Sequence, residues 1–206
     1  MRKQSVISLL LAAIFAIVAV ANVTNHNARA TTPDVPAALA IGSTVPEFSL
    51  PDADGKTQSL SSLKGKNGTV FIFVAVQCPV SNAYNERMEK LAQDYKARGI
   101  NVVGINSNVA EPAEAVKAHA TTNKLTFPIL KDPGNKIADQ LGATVTPEAY
   151  VLDASNKLIY RGRIDNSRKG DSITATELRD ALEASLVGKP VSKEIAAAFG
   201  CSIKRA

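Results

Sequence analysis

The sequence predicts an α/β fold in which helices cover both faces of a mixed central sheet. Two apolar runs carry this prediction, because residues 69–76 (TVFIFVAV) and 101–106 (NVVGIN) show no apolar–polar alternation. Strands of that kind are buried on both faces, as in a parallel sheet covered by helices. A hairpin and a last helix follow, so the sheet should contain both parallel and antiparallel strands.

The individual elements follow from spacing, turn residues and helix caps. We expect strand 69–76, helix 79–98, strand 101–106, helix 111–120, strand 126–130, helix 132–142, strands 148–152 and 158–161, and a helix from Thr174 to Gly188. The last helix is predicted from a capping box, in which the Thr174 and Glu177 side chains satisfy the first backbone N–H groups. This order of elements is that of the thioredoxin fold with an inserted helix and strand.

The first 30 residues have the pattern of a secretory signal peptide. Arg2 and Lys3 precede the apolar run 5–21, and Ala28-Arg29-Ala30 places small residues where a signal peptidase cleaves. We therefore expect residues 1–30 to be removed and the mature protein to be periplasmic or secreted, with no membrane attachment. An uncleaved membrane anchor is the alternative, although the apolar run is short for spanning a bilayer.

The rest of the chain is predicted to form one domain. A flexible leader (residues 31–40) precedes a domain of residues 41–188, and a tail of residues 189–206 follows. Removal of the signal peptide would lower the formal net charge from +5 to +2. A nearly balanced surface does not favour nucleic acid or an anionic membrane as a partner.

The histidine content argues against a metal or haem cofactor. Cleavage would remove His26 and leave His119, which we expect to face solvent from a surface helix. Histidine-ligated metal sites and Ser-His-Asp triads are therefore poorly supported, and no cofactor is expected.

Cys78 is the residue best placed for chemistry. It follows a buried strand, and Pro79 is a favoured first helical residue, so Cys78 should cap a helix. Free backbone N–H groups and the positive helix end would then favour the thiolate, which is the reactive form. The alternative is an inert buried cysteine, since free cysteine often packs as a small apolar residue.

Cys201 is the second cysteine and lies beyond the last predicted helix, directly after Gly200. A mobile tail could bring it to Cys78, where its thiol would resolve a sulfenic acid or a mixed disulfide. The alternatives are a permanent disulfide that holds the tail, an intermolecular disulfide, or a free thiol.

Residues 41 to about 188 resemble the redoxin group, which includes AhpC/TSA peroxiredoxins and TlpA-like thioredoxins, and in particular its peroxiredoxin-like branch with one active-site cysteine. The matching residues are Gly42, Pro46-Glu47-Phe48-Ser49-Leu50, Gly55, Cys78-Pro79-Val80-Ser81 and Val145-Thr146-Pro147. The resemblance implies a thioredoxin-like fold with Cys78 as nucleophile. It also implies that Pro147 is a cis-proline, and that the backbone of Thr146 can pair with an extended substrate strand.

The chain departs from both parts of that group. Ser81 stands where TlpA-like reductases carry the second cysteine of Cys-x-x-Cys, Ala75 stands where typical peroxiredoxins carry Thr, and Pro147 aligns with their Arg. Ser81 could supply a hydroxyl instead, and Arg161 or Arg163 a cation. Alternatively, Ser81 only satisfies backbone N–H groups, and both arginines are exposed strand charges.

A lone helix-capping cysteine with a distant second cysteine is the arrangement of a peroxidatic and resolving pair. We therefore expect an exported thiol peroxidase with antioxidant activity, in which Cys78 attacks a hydroperoxide and Cys201 resolves the product. An external thiol, such as a thioredoxin-like protein, would be the reductant. The alternatives are a TlpA-like thiol–disulfide oxidoreductase that acts on exported proteins, and a non-catalytic binding protein with the same fold. The candidate catalytic residues are Cys78, Cys201, Ser81, Pro147 and Arg163.

Overall fold

The computed structural model describes residues 38–205. The expected signal peptide and most of the expected leader lie outside these residues. Within the described range, no helix is both long enough and apolar enough to cross a membrane.

Residues 38–205 form ten strands, six α-helices and a short 3-10 turn at Pro133–Asn135. The strands are β1 (Ser49–Pro51), β2 (Thr57–Ser59), β3 (Gly68–Phe73), β4 (Ile100–Asn106), β5 (Ile129–Lys131), β6 (Val145–Thr146), β7 (Glu148–Asp153), β8 (Leu158–Gly162), β9 (Ile195–Ala196) and β10 (Cys201–Ser202). The helices are α1 (Leu60–Leu63), α2 (Pro79–Asn82), α3 (Asn85–Lys96), α4 (Ala113–Thr122), α5 (Lys136–Leu141) and α6 (Glu177–Leu186).

Six strands form the central sheet in the order β5-β4-β3-β7-β8-β9. Strand β3 pairs in parallel with β4 and antiparallel with β7, so the sheet is mixed, as predicted. All six residues of β3 are buried, which explains why this strand reads as a continuous apolar run.

Side chains of β3 alternate between two cores. Val70 and Ile72 pack with residues of α3, α4 and α6 on one face of the sheet. Phe71 and Phe73 pack with residues of α1 and α5 on the other. Because both faces are covered by helices, the α/β class predicted from the sequence is confirmed.

The segment around Cys78 differs from its prediction at both ends. Strand β3 ends at Phe73 and not at Val76, so a loop leads to the cysteine. The single helix expected over residues 79–98 is two helices, α2 and α3, because the chain turns at Tyr84. This turn buries the Tyr84 ring and lets its hydroxyl donate to the Asp165 carboxylate at 3.1 Å.

The predicted capping box of the last helix is wrong. Helix α6 begins at Glu177, and its preceding residue makes no side-chain capping hydrogen bond. The Glu177 carboxylate instead pairs with Arg163 and Lys193. The Thr174 backbone N–H donates to the Asn166 side chain, so the expected cap is replaced by a tertiary ion pair.

The C-terminal residues are part of the packed fold and do not form the mobile tail that we expected. Strand β9 is the outer strand of the central sheet, next to β8. Strand β10 pairs with β6, and Ile203 beyond it is 5% exposed in the core that contains Phe71. Cys201 is therefore held at a defined place.

Candidate active site

Cys78 lies directly before α2, with Pro79 as the first helical residue. The backbone N–H of Ser81 donates to its Sγ, with 3.3 Å between the nitrogen and the sulfur. Helix α2 has only four residues, so this direct hydrogen bond, more than a helix dipole, stabilises negative charge on the sulfur. The cysteine is 3% exposed.

The cis-proline segment lies on the other side of the sulfur. The Thr146–Pro147 peptide bond is cis, as the resemblance implied. The Cys78 thiol donates to the carbonyl oxygen of Thr146 across 3.3 Å. The structure therefore places Pro147 immediately beyond the residue that contacts the sulfur.

Strand β10 brings the second cysteine to the same place. It pairs antiparallel with β6, and Cys201 is the direct partner of Thr146. Both cysteines are free thiols, and each one influences the pKa of the other, so their side chains lie close together. Two residues far apart in the sequence thus form one dithiol pair across Thr146.

The hydrogen bonds make the two thiols unequal. Burial opposes ionisation of Cys78, but hydrogen bonds from the Cys201 thiol and the Ser81 N–H outweigh it, so the pKa of Cys78 is lowered. The pKa of Cys201 is raised, chiefly by the hydrogen bond to Cys78 and then by burial. Cys78 is therefore the thiol that ionises first, while Cys201 keeps its proton.

The Ser81 side chain is buried beside this pair, 1% exposed. Its hydroxyl oxygen accepts the backbone N–H of Ala75 at 3.1 Å. Ser81 therefore joins the loop before Cys78 to the first turn of α2. Its hydroxyl occupies space next to Ala75, the position where typical peroxiredoxins carry Thr.

The structure does not bring the candidate arginines to the cysteines. The Arg163 guanidinium binds the Glu177 carboxylate, with 3.1 Å between Nε and Oε1. The hydrogen bonds from Arg163, opposed by burial, lower the pKa of Glu177 to about 2. Arg161 lies opposite Tyr150 in the β7–β8 pair.

A buried carboxylate that the sequence predicts to lie in a helix supports the loop before Cys78. Glu111 precedes α4, is 3% exposed, and accepts the backbone N–H groups of Val76 at 3.0 Å and Gln77 at 2.9 Å. The Asn106 amide donates to the same carboxylate at 2.5 Å. Burial opposes ionisation of Glu111, but these donors outweigh it and lower its pKa.

Lys131 completes this buried network. Its ammonium donates to the Glu111 carbonyl oxygen at 2.6 Å and also to the Asn106 side chain. Burial lowers the pKa of Lys131, and the Glu111 charge opposes that shift. The sequence signal for this network is weak, because one acid before Pro112 also fits an ordinary helix start.

His119 is half-buried, and so it does not simply face solvent as we expected. Its Nε2 lies 3.3 Å from the Asn85 amide nitrogen, and its Nδ1 lies 3.2 Å from that of Asn123. Burial lowers its pKa, opposed by the charge of Glu111. Within residues 38–205, no group of three or more His, Cys, Asp or Glu side chains is placed to hold a metal ion.

A second polar cluster supports the segment that carries Cys201. Arg87 pairs with the buried Asp165 at 2.5 Å and lies 3.5 Å above the Tyr84 ring. The Tyr84 ring lies 6.5 Å from the Phe199 ring, and Arg168 covers Phe199 from another side at 5.1 Å. The half-buried Phe199, two residues before Cys201, thus packs beside Tyr84 and Arg168.

Comparison with curated proteins finds similarity to two kinds of thiol protein. The chain is 34% identical over 143 residues to the chloroplastic peroxiredoxin Q of Sedum lineare. This alignment covers 63% of this chain and 73% of that protein. It is 30% identical over 121 residues to the thiol-disulfide oxidoreductase ResA of Geobacillus thermodenitrificans, covering 59% and 68%.

A solved structure resembles nearly all of the described chain. A hypothetical protein from Sinorhizobium meliloti superimposes with a TM-score of 0.76 at 34% identity, covering 82% of this chain and 96% of that one. The thioredoxin-like fold expected from the sequence is confirmed. The AhpC/TSA family model matches residues 41–161, which include Cys78 and Pro147. The chain therefore belongs to the AhpC/TSA family of thiol-based oxidoreductases.

Proposed function

We propose that this protein is an exported thiol peroxidase in which Cys78 is the peroxidatic cysteine and Cys201 the resolving cysteine. One observation carries the proposal: Cys201 is the strand partner of Thr146, whose carbonyl oxygen lies 3.3 Å from the Cys78 sulfur. In this setting the pKa of Cys78 is lowered and that of Cys201 is raised. A thiolate next to a protonated thiol is the pair that oxidation to a disulfide requires.

The reaction proceeds in three balanced steps. The Cys78 thiolate attacks the terminal oxygen of a hydroperoxide, the O–O bond breaks, and the alkoxide takes a proton from solvent and leaves as an alcohol. Cys201 then attacks the Cys78 sulfenic acid, which forms the S–S bond and releases water. Two equivalents of an external thiol reduce the disulfide and are themselves oxidised to a disulfide.

Ser81 is proposed to help position the oxidant. Its hydroxyl accepts the Ala75 N–H, so its own hydrogen can point to an oxygen atom near Cys78. Pro147 is proposed to hold the Thr146 carbonyl group against the sulfur. For Arg163 a direct role is less favoured, because its guanidinium is engaged by Glu177.

The test is oxidation of the reduced protein with one equivalent of hydrogen peroxide. Free thiol is followed in time, and disulfides are mapped by mass spectrometry. We expect a Cys78–Cys201 disulfide to form faster in the folded protein than in the same protein in urea, because unfolding removes the hydrogen bonds that favour the thiolate. Equal rates in the two states would refute the proposal.

Thiol–disulfide exchange with exported proteins is the second candidate. It is favoured by the identity with ResA and by the absence of Thr at position 75 and Arg at position 147. It ranks second because β10 already occupies the strand next to Cys78. Reduced protein that leaves hydrogen peroxide untouched but reduces a scrambled disulfide protein would reverse the ranking.

Export is proposed from the signal pattern of residues 1–30. An oxidising compartment would let a Cys78–Cys201 disulfide persist between catalytic cycles. N-terminal sequencing of protein recovered from a periplasmic or secreted fraction should begin close to Thr31. A sequence that still begins at Met1 would contradict cleavage.

A further inference from the structure

We propose that β10 determines which class of substrate reaches Cys78, by occupying the strand edge on which an extended peptide would otherwise bind. Extended peptide disulfides are thereby kept from pairing beside the sulfur. The inference rests on the proposed role of Cys78 as nucleophile. The β10 segment, which carries Cys201, lies where the strand of a peptide substrate would otherwise pair with β6.

The pairing of β10 with β6 is the first observation. An unpaired strand edge presents N–H and C=O groups that another chain can bind. Here Cys201 pairs with Thr146 and Ser202 with Val145. The backbone groups beside Cys78 are thus taken by the protein's own chain, with a cysteine at the position facing the nucleophile.

Gly200 shows how closely this segment approaches the cis-proline peptide. A Cβ atom built on Gly200 would lie 1.9 Å from the carbonyl oxygen of Thr146 and 3.3 Å from the nitrogen of Pro147. Side chains do not tolerate such a distance to backbone atoms. Residue 200 must therefore be glycine for β10 to lie against β6 in this way.

Contacts on both sides of β10 hold it in place. Phe199 lies two residues before Cys201 and packs beside Tyr84 and Arg168. After β10, the buried Ile203 donates its backbone N–H to Thr144 at 2.9 Å, and the Lys204 N–H donates to Asn108 at 2.8 Å. An incoming peptide would have to displace this anchored segment before it could pair with β6.

The test measures reaction of Cys78 alone, so every protein carries Cys201→Ser. The probe is a short extended peptide whose single cysteine is linked by a disulfide to thionitrobenzoate. Cys78 attacks the peptide sulfur, the S–S bond breaks, and coloured thionitrobenzoate leaves. A matched peptide has proline on both sides of its cysteine, and it cannot donate strand hydrogen bonds.

Three proteins are compared: Cys201→Ser alone, the same protein with Gly200→Val, and the same protein with Ser202→Ala. Valine at position 200 cannot fit against Thr146, so it should displace β10 and leave the edge of β6 unpaired. Ser202 is exposed, so alanine at that position should leave the β10–β6 pairing intact. We expect the Gly200→Val protein to react at least about tenfold faster with the extended peptide than with the proline peptide. The other two proteins should not distinguish the peptides.

Two outcomes overturn the inference. One is a Cys201→Ser protein that already prefers the extended peptide, and the other is a Gly200→Val protein that still treats both peptides alike. If Gly200→Val does not fold by circular dichroism, Gly200→Ala replaces it, because its Cβ meets the same Thr146 carbonyl oxygen. Hydrogen peroxide oxidation of the unmodified protein tests the proposed peroxidase separately, so failure of one proposal is distinguishable from failure of the other.

Discussion

The segments that carry Cys78 and Cys201 both contact Thr146, but they are supported in different ways. The Cys78 segment follows a central strand, and its loop is bound by the buried Glu111 carboxylate. The Cys201 segment is a two-residue strand on β6, held by Phe199 and Ile203. Neither thiol is special by residue type, because the contacts around each, above all the contact between the two thiols, decide which one ionises.

Replacing the cysteines one at a time should have the largest effect, because it tests the role of each thiol directly. Cys78→Ser should abolish peroxide consumption to the level without protein, because the backbone N–H of Ser81 that stabilises a thiolate donates to residue 78 and not to Cys201. Cys201→Ser should keep the first oxidation but stop at the sulfenic acid, which a dimedone adduct at Cys78 detects by mass spectrometry. If Cys78→Ser keeps the activity, the assignment of roles is inverted.

Removing the charge of Glu111 tests the support of the Cys78 segment. Glu111→Gln replaces one acceptor oxygen by a donor, so the N–H of Val76 or Gln77 loses its partner. We expect a loss of about 2 kcal/mol in the free energy of unfolding, measured in urea. Glu86→Gln, at an exposed position of α3, is the control and should change stability by less than about 0.5 kcal/mol.

The Glu111 contribution should also depend on pH. Its folded pKa is below the ordinary value of 4.5, so its stabilisation is present above that pH and is lost as the pH falls through the folded pKa. The stability gap between the unmodified protein and Glu111→Gln should therefore shrink on acidification. A gap that stays constant from neutral to strongly acidic pH would show that the charge is not responsible.

Replacement of Arg163 tests whether oxidation of Cys78 needs a cation from outside the two cysteine segments. Arg163→Met should cost about 2 kcal/mol in unfolding free energy, because it leaves the buried Glu177 with the exposed Lys193 as its cation. Lys193→Met is the matched control, and it should lower the unfolding free energy less, because Glu177 keeps Arg163 as its partner. Stopped-flow peroxide kinetics should show little change in the oxidation rate of folded protein, and a tenfold slower rate would restore Arg163 to the site.

The smallest expected effect concerns the hydrogen bond between the thiols. Serine at position 201 can still donate to Cys78, whereas alanine cannot, so the pKa of Cys78 should be higher in Cys201→Ala than in Cys201→Ser. The pH dependence of the rate of iodoacetamide alkylation measures the pKa of Cys78 in each of the two variants. Superimposable profiles would mean that the Ser81 N–H, and not residue 201, sets the ionisation of Cys78.

The central strands were predictable from the sequence because burial on both faces leaves an uninterrupted apolar run, as in β3. Cys78 was predictable because proline directly after it indicates a helix start. The network of Glu111 and the strand β10 were not, because both depend on contacts between distant parts of the chain. Two residues of strand and one buried acid carry too little local pattern to be recognised before packing is known.

The order of the two segments along the chain has a consequence for biosynthesis. Strand β10 follows every other described strand, so Cys78 leaves the ribosome well before the segment that covers it. Until that segment arrives, a nascent chain exposes a nucleophilic thiol and an unpaired strand edge, both of which invite incorrect partners. Maturation of the protein should therefore be most sensitive to oxidants in the interval between synthesis of Cys78 and docking of Cys201.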